Sequence, residues 1–182
     1  CFFPQLVAGP IERAKDLLPQ FEKSRIFNSK EAYDGLQLIL WGLFKKSVIA
    51  DNISPYVDKI FLDYHTYGSG TLLLGAVLFS SQIYCDFSGY SDIAIGTSKL
   101  FGFNLSRNFN FPYFSKNITE FWKRWHMSLT NWFKDYIYIP LGGSRVSSIV
   151  LIRNIFIVFF VSGIWHGANW TYIFWGSLNG VL

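Results

Sequence analysis

The sequence predicts an all-α protein: a polytopic transmembrane helical bundle with interfacial helices. Three observations carry that expectation. Only 15% of its 182 residues are charged, where an average soluble domain has about 25%. Apolar residues make up 51% and aromatics 20%. Charge is also missing from long stretches, since residues 64–85 carry no formal charge and residues 147–182 only Arg153. A chain this apolar does not stay solvated as a disordered segment. With Cys1 and Cys85 as its only cysteines, it is not a disulfide-stapled module either.

The elements follow in order. Pro4, Gly9 and Pro10 mark an irregular opening. Pro19 lies in a mixed-charge segment that reads as a solvent-side loop or a short amphipathic helix. Residues 36–49 are apolar but carry Lys45 and Lys46, which suits an interfacial or bundle-buried helix better than a simple span. Gly68-Ser69-Gly70 leads into the first span, within 64–85. Asp86 and Asp92 follow it. They are either an acid–base pair or structural groups, Asp86 capping a break and Ser91 or Asp92 capping the next helix. Pro112 ends a polar aromatic link, Asn108 to Pro112 and Tyr113. Residues 119–139 read as one helix, because Trp122, Trp125, Leu129, Trp132, Phe133 and Tyr136 recur at helical spacing. Tryptophan and tyrosine favour the membrane–water boundary, which makes this helix interfacial. Pro140, Gly142 and Gly143 stop it. Residues 147–182 have room for one span plus the start of another, since a span needs about 20 residues.

The chain opens on Cys1, holds one methionine, Met127, and closes in a run, 154–182, without Asp, Glu, Lys or Arg. It reads as an internal fragment of a longer polypeptide, with residues 1–182 inside a single domain, so absent targeting signals carry no meaning.

Charge is uneven. The net charge is +4, and residues 99–153 hold eight basic side chains against Glu120 and Asp135. By the positive-inside rule that stretch faces the cytoplasm. Anionic lipid headgroups suit it better than nucleic acid, because its aromatics follow a helical stripe beside membrane spans.

Two histidines stand out. His126 lies at the edge of the aromatic stripe, either as one more polar-tipped anchor or as a functional group. His166 lies in an uncharged run, where ionisable groups are rare and face a bundle interior or an aqueous cavity. A helix starting near Ser148 puts it about 27 Å further along the membrane axis. The structural alternative is a histidine hydrogen-bonded to a neighbouring helix. No metal site is expected, since His65, His126 and His166 are 61 and 40 residues apart without a ligand pair. A phosphate-cradling glycine loop and a Gly-x-Ser-x-Gly elbow are also missing.

Five motifs, in order, then point to a family: Phe3-Pro4-Gln5-Leu6-Val7-Ala8-Gly9-Pro10-Ile11-Glu12-Arg13; Asp86-Phe87-Ser88-Gly89-Tyr90-Ser91-Asp92; Phe121-Trp122-Lys123-Arg124-Trp125-His126; Pro140-Leu141-Gly142-Gly143; and Trp165-His166-Gly167-Ala168. Together they resemble the bacterial membrane-bound O-acyltransferases, in the branch of alginate O-acetyltransferase-like envelope enzymes rather than the D-alanyl-transferring branch. The resemblance implies a multi-pass protein of the bacterial inner membrane with a tunnel through it. It maps the catalytic position onto His166 and a second functional position onto His126.

It further implies transfer of an acyl group, acetyl being the expected one, from a cytoplasmic thioester toward hydroxyls of a cell-envelope polysaccharide. An imidazole that titrates near neutral pH suits removal of the attacking hydroxyl's proton. In that scheme His166 is the base or proton relay and His126 acts on the cytoplasmic side. Lys123 and Arg124 attract an anionic donor such as acetyl-CoA, or snorkel to headgroups. Trp125, Trp165 and Asn169 shape the passage or pack helices. No bound cofactor is expected. An extracytoplasmic acetyltransferase is an expected partner, together with the lipid bilayer and the polysaccharide acceptor. D-alanyl transfer to teichoic acid and peptidoglycan acetylation are the alternatives within the family. Outside it, the alternative is a non-enzymatic channel, transporter or scaffold.

Overall fold

The computed structural model describes residues 2–5, 9–167 and 169–181. Leu6, Val7 and Ala8 of the opening motif and Ala168 of the last one lie outside the described residues, as do Cys1 and Leu182. Every regular element among the described residues is helical, as the sequence predicts. The chain forms two compact units, Cys1–Ser128 and Leu129–Leu182.

In the first unit, helix α1 (Ala14–Glu22) makes the segment around Pro19 a short helix, the second of the two forms its sequence allowed. The Gln20 side chain ties it to the loop after α4 by a reciprocal pair. Its Nε2 donates to the Asn104 carbonyl at 3.0 Å and its Oε1 accepts from the Asn104 N–H at 2.8 Å. Asn28 opens α2 (Ser29–Leu43) by accepting the Lys30 N–H at 3.0 Å. The helix does not stop near residue 49, as the short 36–49 segment suggested. It widens into π turns over Phe44–Ala50 and continues as α3 (Asp51–Leu62), with every junction residue right-handed helical.

Helix α4 (Ser69–Leu100) then runs back along α2 and α3 for 32 residues, about 48 Å at 1.5 Å per residue. It starts after Gly68, as expected, but continues straight through Asp86 and Asp92. The break that Asp86 was expected to cap does not exist: Asp86 and Asp92 stay within the helix and pair with Lys46 and Lys45 of the π turns after α2. Two glycine pairs set the closeness of α2 and α4. A Cβ on Gly42 would meet the Gly89 carbonyl oxygen at 2.6 Å, and one on Gly96 would meet that of Gly35 at 2.5 Å. Both pairs are spaced by seven residues, two turns on one face of each helix. Gly102, at φ 74°, closes α4: its N–H bonds Lys99 O and the next N–H bonds Ser98 O. Both orphaned carbonyls are thereby satisfied.

The link after α4 leads to a turn at Pro112–Phe114 and to α5 (Ile118–Arg124), followed by α6 (Met127–Phe133), which crosses into the second unit. There the chain passes through π turns over Lys134–Tyr138 and a glycine turn to α7 (Ser148–His166) and α8 (Trp170–Val181). These two pack as a hairpin through Gly176, where a Cβ would meet the Phe159 carbonyl oxygen at 2.5 Å. Asn154, fully buried, donates from Nδ2 to the Leu141 carbonyl at 3.1 Å and so clamps the Pro140-Leu141-Gly142-Gly143 turn onto α7. Arg153, the lone formal charge of the run, donates to Asn154 Oδ1 at 2.9 Å.

Helices α4 and α7 are each long and apolar enough to cross a membrane. Their large apolar side chains point outward: Leu73 is 69% exposed and Ile149 82%. Outward apolar surface of this kind suits a lipid or protein covering rather than water.

Candidate functional site

The sequence predicted one helix over 119–139; the chain instead breaks at Trp125 and His126. Helix α5 opens on Asn117, whose side chain accepts the Glu120 N–H at 2.8 Å while Glu120 accepts the Lys116 N–H at 2.7 Å. This reciprocal cap satisfies donors that the first turn would leave open. The Lys116 N–H holds the Glu120 carboxyl below the usual carboxylate range, aided by Arg124 against some desolvation. At the far end, the backbone groups that a continuous helix would pair internally go to the link before α5. Asn110 N–H donates to Arg124 O at 3.0 Å, and Met127 N–H donates to Asn108 O at 2.8 Å. Trp125 is extended, and His126 sits at φ 43°, in the left-handed region. A non-glycine residue there costs about 1–2 kcal/mol. The surrounding hydrogen bonds hold it. Trp122 and Trp125 therefore do not share one face with Leu129 and Trp132, because the stripe is cut between them.

Aromatic rings surround the break. The His126 imidazole meets Phe87 of the Asp86-to-Asp92 motif edge to face at 4.7 Å. Trp125 lies 5.1 Å from Phe109 and 5.6 Å from Phe121. Lys123 is exposed. Arg124 pairs with Glu120 one turn back, so its guanidinium is engaged within its own helix.

Beside this, the π turns after α2 and helix α4 carry a charged cluster that the sequence reading did not assemble. Lys45 and Lys46 lie three and four residues after Gly42, on the face that meets α4. The buried Lys45 ammonium contacts Asp92 at 2.8 Å and Ser88 Oγ at 2.9 Å. Lys46 pairs with Asp86 at 2.5 Å and Asp51 at 3.0 Å. Asp86 and Asp92 are therefore ion-pair partners between helices, not helix caps. Ser91 is not a cap either: its Oγ accepts a hydrogen bond from Asn108 Nδ2 at 3.1 Å. A usable signal was present, since lysines in one apolar run and aspartates in another predict mutual pairing in a low-dielectric setting.

In the second unit, α7 starts at Ser148, as the sequence predicts, and ends on His166, an end the sequence reading did not place. Its ring is edge to face with Trp175 of α8 at 5.5 Å and stacked at 6.4 Å on Tyr172. The neighbouring Trp165 turns toward Trp132 at 5.9 Å and Phe133 at 6.4 Å. Asn169 caps α8 by accepting the Thr171 N–H at 3.2 Å. So the fold groups Lys123, Arg124, Trp125 and His126 in the first unit, and Trp165, His166 and Asn169 in the second.

Known proteins carry the same pattern. The sequence profile of the membrane-bound O-acyltransferase family matches residues 1–182. The chain is 45% identical to a probable alginate O-acetylase of Azotobacter vinelandii, over 98% of this chain and 35% of the relative. Against a peptidoglycan O-acetyltransferase of Helicobacter pylori it is 44% identical, over 99% of this chain and 34% of the relative. A teichoic acid D-alanyltransferase of Bacillus subtilis is 33% identical over 100% of this chain and 48% of the relative. The chain thus spans about a third of the length of the first two of these curated relatives.

Proposed function

We propose, from the premise that this chain belongs to the membrane-bound O-acyltransferase family, that it acts in acyl transfer to a cell-envelope polysaccharide. The acyl group is acetyl, taken from a cytoplasmic thioester such as acetyl-CoA. Residues 1–182 then form part of a single family domain within a longer, multi-pass protein of the bacterial inner membrane. Identity of 45% and 44% to relatives named as O-acetylating enzymes, against 33% to a D-alanyltransferase, supports acetyl over D-alanyl.

The observation that carries this reading is the family match over the whole chain, with both motif histidines at helix ends rather than inside a packed helix. The reaction needs such a group. As the acceptor hydroxyl oxygen attacks the thioester carbonyl, a neutral imidazole takes its proton, and the carbon–sulfur bond then breaks. The thiolate leaves and recovers a proton. We assign His166 as the base or proton relay and His126 as the group acting on the cytoplasmic side. Lys123, exposed, and Arg124 draw in the anionic donor, while Trp125, Trp165 and Asn169 shape the passage. An extracytoplasmic acetyltransferase completes delivery to the polymer.

The test is ester-linked acetate on envelope polysaccharide in cells carrying the intact protein, beside His166→Ala at matched membrane levels. Acetate falling to background while the variant stays inserted is the expected result. Unchanged acetate would remove His166 from the chemistry and favour a channel or scaffold.

A further inference from the structure

We propose that Asn108 is the positioning residue for His126, an inference that rests on the reading of His126 as a functional group. Asn108 is 1% exposed, and its side chain and backbone are used on three sides. Nδ2 donates to Ser91 Oγ on α4 at 3.1 Å. Oδ1 accepts from Ser128 Oγ at 2.5 Å. The backbone carbonyl accepts the Met127 N–H at 2.8 Å, immediately after His126. Ser128 Oγ in turn accepts the Ile11 N–H at 2.9 Å. One directed chain of hydrogen bonds therefore runs from the opening motif, through Ser128 and Asn108, to the Asp86-to-Asp92 motif.

Ser91 and Ser128 are as buried as the amide, at 2% and 5% exposure. Buried polar groups that are fully paired specify one arrangement, because each alternative strands a donor or acceptor. His126 needs that support, since its left-handed backbone is one that a free chain seldom holds. A continuous α5–α6 helix would carry the imidazole on a regular helical face. The Asn108 clasp interrupts the helix at this one residue and brings the ring against Phe87. Asn108 touches no reacting atom in this scheme; it sets where the imidazole stands. A displacement on the scale of 1 Å costs an oriented group about 100-fold in rate.

The test uses the intact protein in nanodiscs with 15N-labelled histidine, the His126 resonance being assigned by its loss in His126→Gln. Asn108→Ala is expected to shift or broaden that resonance and leave the other histidine resonances in place. Turnover should fall about tenfold or more with KM for the acetyl donor unchanged. A His126 resonance that stays put overturns the proposal, whatever the rate does. So does a resonance that moves without loss of rate while His126→Gln abolishes activity. If Asn108→Ala fails to reach the membrane, Ser128→Ala gives the same readout with a smaller shift, since the Ser128 N–H still faces Oδ1 at 3.4 Å. A moved resonance with full activity in both Asn108→Ala and His126→Gln would leave the clasp standing and instead remove His126 from the chemistry.

Discussion

The α2–α4 pair of the first unit and the α7–α8 hairpin of the second solve the same packing task with different means. Both bring helix backbones together at glycines, Gly42 and Gly96 in one and Gly176 in the other, where a Cβ would press on a carbonyl oxygen at 2.5 to 2.6 Å. The first pair adds the buried Lys45–Asp92 contact and the Asn108 clasp. The hairpin holds one formal charge, Arg153, satisfied by its own neighbour Asn154. Small residues allow close approach in either setting, but they do not choose among registers. Charges and buried amides do choose, because a slipped register leaves them unpaired. The first region also carries a histidine in a left-handed bend; in the second, where the buried Asn154 ties α7 to the Pro140-to-Gly143 turn rather than to α8, the histidine stands at a helix end.

The largest expected break in this contrast is Asp92→Ala. It leaves the Lys45 ammonium, whose side chain is 8% exposed, without its carboxylate. Losing one partner of a buried pair costs about 3–5 kcal/mol. Denaturant unfolding of the intact protein in detergent micelles should register that loss, whereas Arg153→Leu should change little. Equal losses at both sites would erase the distinction.

Next come the glycines. Gly42→Ala and Gly176→Ala each force a methyl onto backbone and should each cost about 1–3 kcal/mol. Thermal melts of the two variants would sharpen the comparison by matching, since the close approach is common to both regions.

His126→Gly should run the other way. Removing the Cβ relieves the left-handed backbone and adds chain freedom in the unfolded state, for a net gain of about 1 kcal/mol at most. A raised Tm with lost acetate transfer would separate function from stability at this position. A lowered Tm would mean that the imidazole contributes more than its strain costs.

The smallest effect is one of pH. Glu120 has a lowered pKa in the folded chain, so it binds its proton less readily there than when unfolded. Its stabilising effect is complete above the ordinary glutamate pKa of about 4.3 and is lost as pH falls through the lower folded value. Glu120→Gln should flatten the acid end of the stability curve slightly and leave it unchanged at pH 7.

Much of the fold was legible locally. The spans, the Pro140-to-Gly143 stop and the start of α7 at Ser148 follow from runs of uncharged residues and from turn chemistry. The aromatic stripe over 119–139 misled, because a period of 3.6 records which residues would share a face if the helix continued. It does not record competing hydrogen-bond partners 14 to 20 residues upstream, Asn110 for Arg124 and Asn108 for Met127 and Ser128. Asp86 and Asp92 misled for a similar reason: a carboxylate near a predicted helix end looks like a cap until another helix offers a lysine.

Composition and motif order by themselves determined that this chain is helical, built for an apolar surrounding and a member of its family, since these depend on residue types and short-range spacing. Only the tertiary structure decided that α4 runs unbroken through its aspartates, that Lys45 is buried against Asp92, and that Asn108 bends the chain at His126. Those outcomes rest on contacts between residues 17 to 47 positions apart. Their sign depends on whether a buried polar group finds its partner, and that is a property of the packed chain.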